Sequence, residues 1–241
     1  MEAPLEVTAL VPALAVAYAV VLRAARPSRP RVASFTAGLA LILVAFSTRL
    51  EPLALHTFLW AHLLQNVVLA EWAPALLVLG LPPALATRVR VPAIPALGVW
   101  LATYFLWHLP WAYDAALRRP HTVLHVEHLC YLVAGTLFWW PVVHGRHGAG
   151  AKSAYLFAAF VLASPLGLML ALLPKPVYSI YEAAAPTWGL SALADQEIAG
   201  ATMAGEQAAV IFAAFAAFFL RFLREEQSAG ALDELRPRPT R

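Results

Sequence analysis

The chain has 241 residues, 61% hydrophobic and 13% charged, with a formal net charge of +3 and a mean hydropathy of +0.68. Soluble domains average roughly 45–50% apolar and about 25% charged residues, so this composition excludes an ordinary soluble fold and a disordered chain. A single cysteine, Cys130, excludes an internal disulfide framework, a CxxC redox pair and a cysteine-rich zinc site.

The apolar content suffices for about seven spans of ~20 residues, and the chain divides accordingly. The opening MEAPLEV is acidic and lacks the basic region of a secretory signal. A first apolar run over about 5–22 ends in the basic, proline-rich RAARPSRPR. A second, over about 32–46, closes at polar residues 47–51, and a third, over about 57–80, contains Glu71 and Pro74. A loop over 81–95 carries Arg88 and Arg90, and the fourth run, about 96–109, stops at Pro110. A short polar link leads to the fifth, about 121–143, which opens with histidines and is followed by HGRHGAGAKS. The sixth is about 154–173, and 174–192 reads as an interfacial loop. The seventh covers about 193–223. Long uninterrupted runs suit helices, whereas a barrel would show short alternating segments. The predicted fold is therefore all-α: a polytopic bundle of about seven transmembrane helices over 1–225, with a charged cytoplasmic tail over 226–241.

Thirteen of the 17 lysines and arginines fall at the ends of the runs shared by Arg23, Arg88, Arg146 and Arg221; the other ends hold Arg49, Arg118, Arg119 and Lys175. The positive-inside rule makes the richer side cytoplasmic, with the N-terminus outside and the C-terminus inside.

Six of the eight histidines share the outer side: His56 and His62 at the third run, His108 at the fourth, and His121, His125 and His128 at the fifth. The last three are spaced i, i+4, i+7, one stripe of a helix. Neutral imidazoles converging at one level of a bundle suit copper, zinc or iron. Glu127, rotated off the stripe, could orient an imidazole or bind a neighbouring helix. His144 and His147 flank a glycine-rich cytoplasmic loop and read as solvated.

Glu71 and Glu206 fall well inside the membrane, where a carboxyl is costly and functional by default; Asn66 and Gln207 are the candidate neutral partners. Asp195 and Gln196 begin the seventh helix on the outer side, where Asp195 either caps a helix or faces the histidines. HTVLH has the two-histidine spacing of zinc proteases but threonine after the first histidine; nucleophile elbows and phosphate-binding loops are missing. The expectation is a protein that is not an enzyme and binds no nucleic acid. The histidine pattern alone leaves three readings open: a copper site, a haem-binding cytochrome or electron-transfer subunit, and a transporter using Glu71 and Glu206 for protons or ions.

Four segments narrow this. WHLPWAYDAAL (107–117), HVEHLCYLVAGTLFWWPVV (125–143), LADQEIAG (193–200) and, less closely, AHLLQNVVLAEWAPALLVLGLPP (61–83) resemble the CtaG family of bacterial membrane proteins. The resemblance covers roughly 55–223 and implies a multi-pass protein of the bacterial plasma membrane. It also implies a role in assembling cytochrome c oxidase by helping deliver copper to the subunit with the haem–copper centre. The family's characteristic residues fall on His62, His108, His125, Glu127, His128, Asp195 and Gln196. Asn66 stands where the family has a second histidine, and Ala204 where it has tryptophan. The expected site brings His62, His108, His125 and His128 together, with His121 one turn nearer solvent. Asp195 would orient an imidazole, and Asn66 would make a hydrogen bond one turn deeper. Nitrogen ligands without sulfur would favour Cu(II) or Zn(II).

Overall fold

The structure, a computed structural model, describes residues 4–182 and 188–234, and among these it is built of helices and turns with no β-sheet. Six helices have the length and apolarity of membrane spans: Glu6–Ala25, Arg29–Ser47, Leu59–Gly80, Val123–Val143, Ala149–Leu172 and Ala192–Ala229. A shorter apolar helix, Ala93–Trp107, makes the seventh; its 15 residues rise about 22 Å, and the chain then turns at Leu109 into the helix Pro110–Arg118. In chain order these are the first to seventh spans, Ala93–Trp107 being the fourth.

Side-chain contacts fix their directions. At one end, Glu6 of the first span meets His128 of the fifth, and Leu59 of the third meets Asp195 of the seventh. At the other, Tyr18 of the first bonds Gly80 O of the third at 3.0 Å, and His144, just past the fifth, bonds Val78 O at 2.9 Å. The odd spans are therefore parallel and the even ones return between them. The molecule is a multi-pass helical membrane bundle, with the histidines of the third to fifth spans at one end. Arg31 lies at the other, donating to Leu79 O and Leu81 O.

The third span forms the axis: 72% of its apolar window is buried, against 11% for the first span and 22% for the seventh. It packs against the second, fifth and seventh spans. Pro74 explains its centre. Proline has no N–H, so the Ala70 carbonyl loses its i+4 donor. The helix widens there into a π turn over Val68–Trp72. Trp100 Nε1 of the fourth span donates to Ala70 O instead, at 3.3 Å. The fifth span comes this close because residue 135 is glycine: a Cβ there would lie 2.2 Å from Ala70 O and 2.7 Å from Pro74 Cγ. Two more π turns, Glu6–Leu10 and Ala208–Phe212, begin the first span and interrupt the seventh just after Gln207.

Several boundaries differ from the sequence reading; the sixth span, for one, begins at Ala149, within the expected loop. The 111–120 link is largely helical, as Pro110 at a first helical turn has no bond to lose. The third span begins at Leu59, because Phe58 is extended and the new helix is capped from elsewhere. The fifth begins at Val123: the chain must reverse after Arg118, and Thr122 keeps a non-helical backbone. His121 therefore sits in a turn and does not continue the stripe of His125 and His128. The seventh helix runs on to Glu234, through the first residues of the expected tail, supported by an Arg221–Glu225 pair at i, i+4 (2.7 Å). The rest of that tail, and 183–187 of the expected interfacial loop, lie outside the described residues.

Candidate metal centre and polar interior

His125 and His128, one turn apart on the fifth span, face the first turn of the first span. Glu6 Oε1 lies 2.9 Å from His125 Nδ1 and 2.7 Å from His128 Nδ1. The ligand atoms of these residues all lie within 4.8 Å of one another, and this is the group of metal-ligating side chains that converges among the described residues. Glu6 and His128 are buried, while the His125 side chain is 22% exposed and gives the group its solvent side. Phe46 packs edge-on against His128, ring centroids 5.0 Å apart. A groove of about 750 Å³ at this end is lined by Val7, Phe46, Glu51, His56 and His121, among others. Glu51, on the short helix Leu50–His56, accepts from Gln65 Nε2 at 2.6 Å; burial pushes its carboxyl above the usual range.

The other expected ligands lie deeper. The His62 ring centroid is 6.1 Å from that of His128, and its Nε2 is 3.5 Å from Glu127 Oε1. Asn66 Nδ2 donates to the same Glu127 oxygen at 2.9 Å, the hydrogen bond expected of it. Glu127 is fully buried and clamps the third span to the fifth while orienting His62. His108 ends the fourth span: its Nδ1 lies 2.7 Å from Tyr104 O and 3.3 Å from Tyr131 OH, and its carbonyl accepts from Tyr178 OH. It therefore does not join His125 and His128. His121 is exposed on the groove wall beside His56.

Asp195 caps a helix, but not its own, and it does not orient a histidine. Its carboxylate accepts from the backbone N–H groups of Leu59 (2.6 Å) and Trp60 (3.2 Å), capping the third span from outside that helix. Free N–H groups and a positive dipole end there favour a carboxylate, and Ser191 caps Asp195's own helix. Gln196 pins the connection after the sixth span, bonding Val177 N, Leu170 O and Lys175 O. Between them, these two residues tether the third span and the outer connection to the seventh span.

Glu71 and Glu206 are buried within the bundle, away from lipid. Trp72 Nε1 donates to Glu206 Oε2 at 3.1 Å, and Gln207 Nε2 donates to Tyr104 OH at 2.7 Å. Asn66, the other expected partner, is committed to Glu127. The enclosed void beside Glu71 and His108 is about 10 Å³, far too small for a porphyrin. His144 is half-buried and bonded to Val78 O, so it is more firmly placed than a solvated loop residue.

Glu6 is the residue that sequence reading missed. Its only sequence signal is an acidic residue at the start of the first apolar run. Gln65, Tyr104 and Tyr131, read only as parts of apolar runs, carry the polar interior.

Fold and site together define a multi-pass helical membrane protein with a carboxylate–imidazole cluster at one membrane face. The chain belongs to the family of cytochrome c oxidase caa3 assembly factors (Caa3_CtaG), whose model matches residues 15–225. His125 and His128 lie within the matched region and Glu6 before it. No curated protein and no solved structure matches the chain.

Proposed function

We propose that this assembly factor takes up a copper ion as cargo on Glu6, His125 and His128 and passes it to the oxidase subunit that carries the haem–copper centre. The observation that carries this reading is the convergence of a carboxylate and two imidazoles from two spans at one membrane face. The donor chemistry supports it: imidazole nitrogens and a carboxylate oxygen, without sulfur, suit Cu(II), and their ligand atoms lie within 4.8 Å of one another. The protons on these ring nitrogens leave as the ion enters. His62, a ring's width from His128, is a reserve donor, and the partly exposed His125 faces the recipient. Neither role requires the protein to be an enzyme.

The test is metal analysis of purified protein. His125→Ala/His128→Ala is expected to abolish stoichiometric copper binding and to lower the copper content of oxidase in the host membrane. His144→Ala, at the opposite end, is expected to leave both unchanged. Binding that survives the double substitution would overturn the assignment.

The reading places the histidine end on the extracytoplasmic face of a bacterial plasma membrane, because the arginine-rich end is held inside. In a Cys130→Ser background, a cysteine at Thr8 is expected to react with an impermeant thiol reagent applied outside. A cysteine at Ser228 is expected to react only after permeabilisation. The reverse pattern would invert the orientation and remove the site from the oxidase's copper-receiving face.

A further inference from the structure

Buried polar atoms without a protein partner are concentrated in this molecule. Of twelve such side-chain atoms among the described residues, ten lie on one string running from His128 through Glu127 to Gln207. At its inner end are both oxygens of Glu71, Oε1 of Glu206 and Oε1 of Gln207. Glu71 and Gln207 are 0% exposed and Glu206 is 7% exposed. Trp72, the next residue after Glu71, donates to Glu206, and Tyr104, which lines a void with Glu71, accepts from Gln207, so the two carboxyls are neighbours. None of the ion pairs among the described residues includes either carboxyl. Each residue sits at or beside a π turn, a distortion that proteins place at functional sites and that re-aims a side chain out of helical register.

Two neighbouring buried carboxylates have only acceptors to offer each other; one proton converts the repulsion into an O–H···O hydrogen bond. A metal cation is the rival occupant. An all-oxygen cation site needs about six or more ligands at 2.3–2.6 Å or an octahedral cage, and the void of about 10 Å³ beside Glu71 leaves no such space. The proton is the occupant that fits.

Its route is also defined. The void of about 10 Å³ lies between Glu71, Asn66, Tyr104, His108 and Tyr131, about the room one water needs. His108 Nε2 is buried and without a partner, so it faces no competing bond. Next to Glu71, Trp100 bonds Ala70 O and stacks on Phe138, centroids 4.6 Å apart, both rings buried. The titratable groups facing Glu71 are Glu206 from the seventh span, Tyr104 and His108 from the fourth, and Tyr131 from the fifth.

The geometry points to Glu71 and Glu206 as an intramembrane proton-binding site that exchanges its shared proton with His108, at the histidine end of the fourth span, through one water. In the outward step a carboxyl O–H gives its proton to the water, and the water gives one of its own to His108 Nε2. The inward step is the reverse, and no electron moves. This site stands whether or not copper binds at Glu6, and it gives the assembly factor an internal proton store.

Infrared spectroscopy of the full chain in lipid nanodiscs tests it at neutral pH. The wild type is expected to show a protonated-carboxyl C=O band that shifts down in D2O. Glu71→Gln and Glu206→Gln should each alter the band, and the double variant should remove it. Because glutamine keeps a donor and the shape, the folded bundle is expected to survive each change. A C=O region identical in wild type and double variant overturns the shared proton, as does unfolding of Glu71→Gln, which would reveal an ionised, paired group. After rapid mixing into D2O, the band of His108→Phe is expected to exchange roughly tenfold more slowly, for loss of one hydrogen-bonded step. Asn66→Leu, which lines the void from another helix, provides the same measurement if His108→Phe does not fold. Wild-type exchange rates in a folded variant of this kind overturn the route.

Discussion

Glu6→Gln is expected to weaken copper binding by at least about 100-fold while leaving the bundle folded, a loss at or beyond that seen on removing groups that merely support a metal ligand. The physical reason is charge. His125 Nδ1 and His128 Nδ1 both address the same Glu6 oxygen, at 2.9 and 2.7 Å. In a buried setting, two neutral imidazoles supply donor atoms but nothing to offset the charge of a divalent ion; the carboxylate does both. Glutamine keeps an oxygen acceptor for one imidazole N–H, so the first span stays docked, but it removes the negative charge. Competition with a chromophoric copper chelator measures the change. Wild-type affinity in Glu6→Gln would mean that the ion is held elsewhere, with His62 and Glu127 the nearest alternative. Glu51→Gln is the informative contrast. Glu51 lies on the groove wall, bonded to Gln65, so its loss should slow loading more than it weakens the final complex.

The seven-span bundle was legible because hydrophobic run length is a property of the chain alone, and Arg31, Gly80 and His144 share one end of the bundle. The histidine face was legible for the same reason: His62, His108, His125 and His128 all gather at one end. Which of them converge was not. His121 left the stripe because the chain needs 119–122 to reverse direction, a demand of the preceding helix Pro110–Arg118. His108 is held by its own fourth-span carbonyl at Tyr104. Asp195 was drawn to the N-terminus of the third span, a long-range cap that depends on how distant spans align. Glu6 was visible only as an acidic residue near the N-terminus; its role requires the first span to lie beside the fifth, which no local pattern encodes.

Gly135→Ala is expected to destabilise the bundle by about 3 kcal/mol, at the upper end of the overpacking range, although alanine is the better helix former by about 0.5–1 kcal/mol. The added Cβ would meet backbone, Ala70 O at 2.2 Å and Ala70 C at 2.8 Å, together with the Pro74 ring at 2.7 Å. None of these is a flexible side chain, so the third and fifth spans must separate. Separation would also loosen the Trp100–Ala70 hydrogen bond, worth about 1 kcal/mol in itself. That bond is the means by which the bundle satisfies the carbonyl that Pro74 leaves without a donor. Membrane helices rely on such close approaches at small residues, since lipid offers no hydrophobic drive between spans. Gly98→Ala is the control: its Cβ would meet nothing within 4 Å, so this change should stabilise by about 0.5–1 kcal/mol. Thermal unfolding of the two purified variants should therefore shift in opposite directions. Trp100→Phe should cost less in the Gly135→Ala background than alone, because the bond it removes is already strained there. Equal effects of the two glycine substitutions would show that the third and fifth spans are not in the close contact on which the positions of Glu71, Asn66 and Glu127 depend.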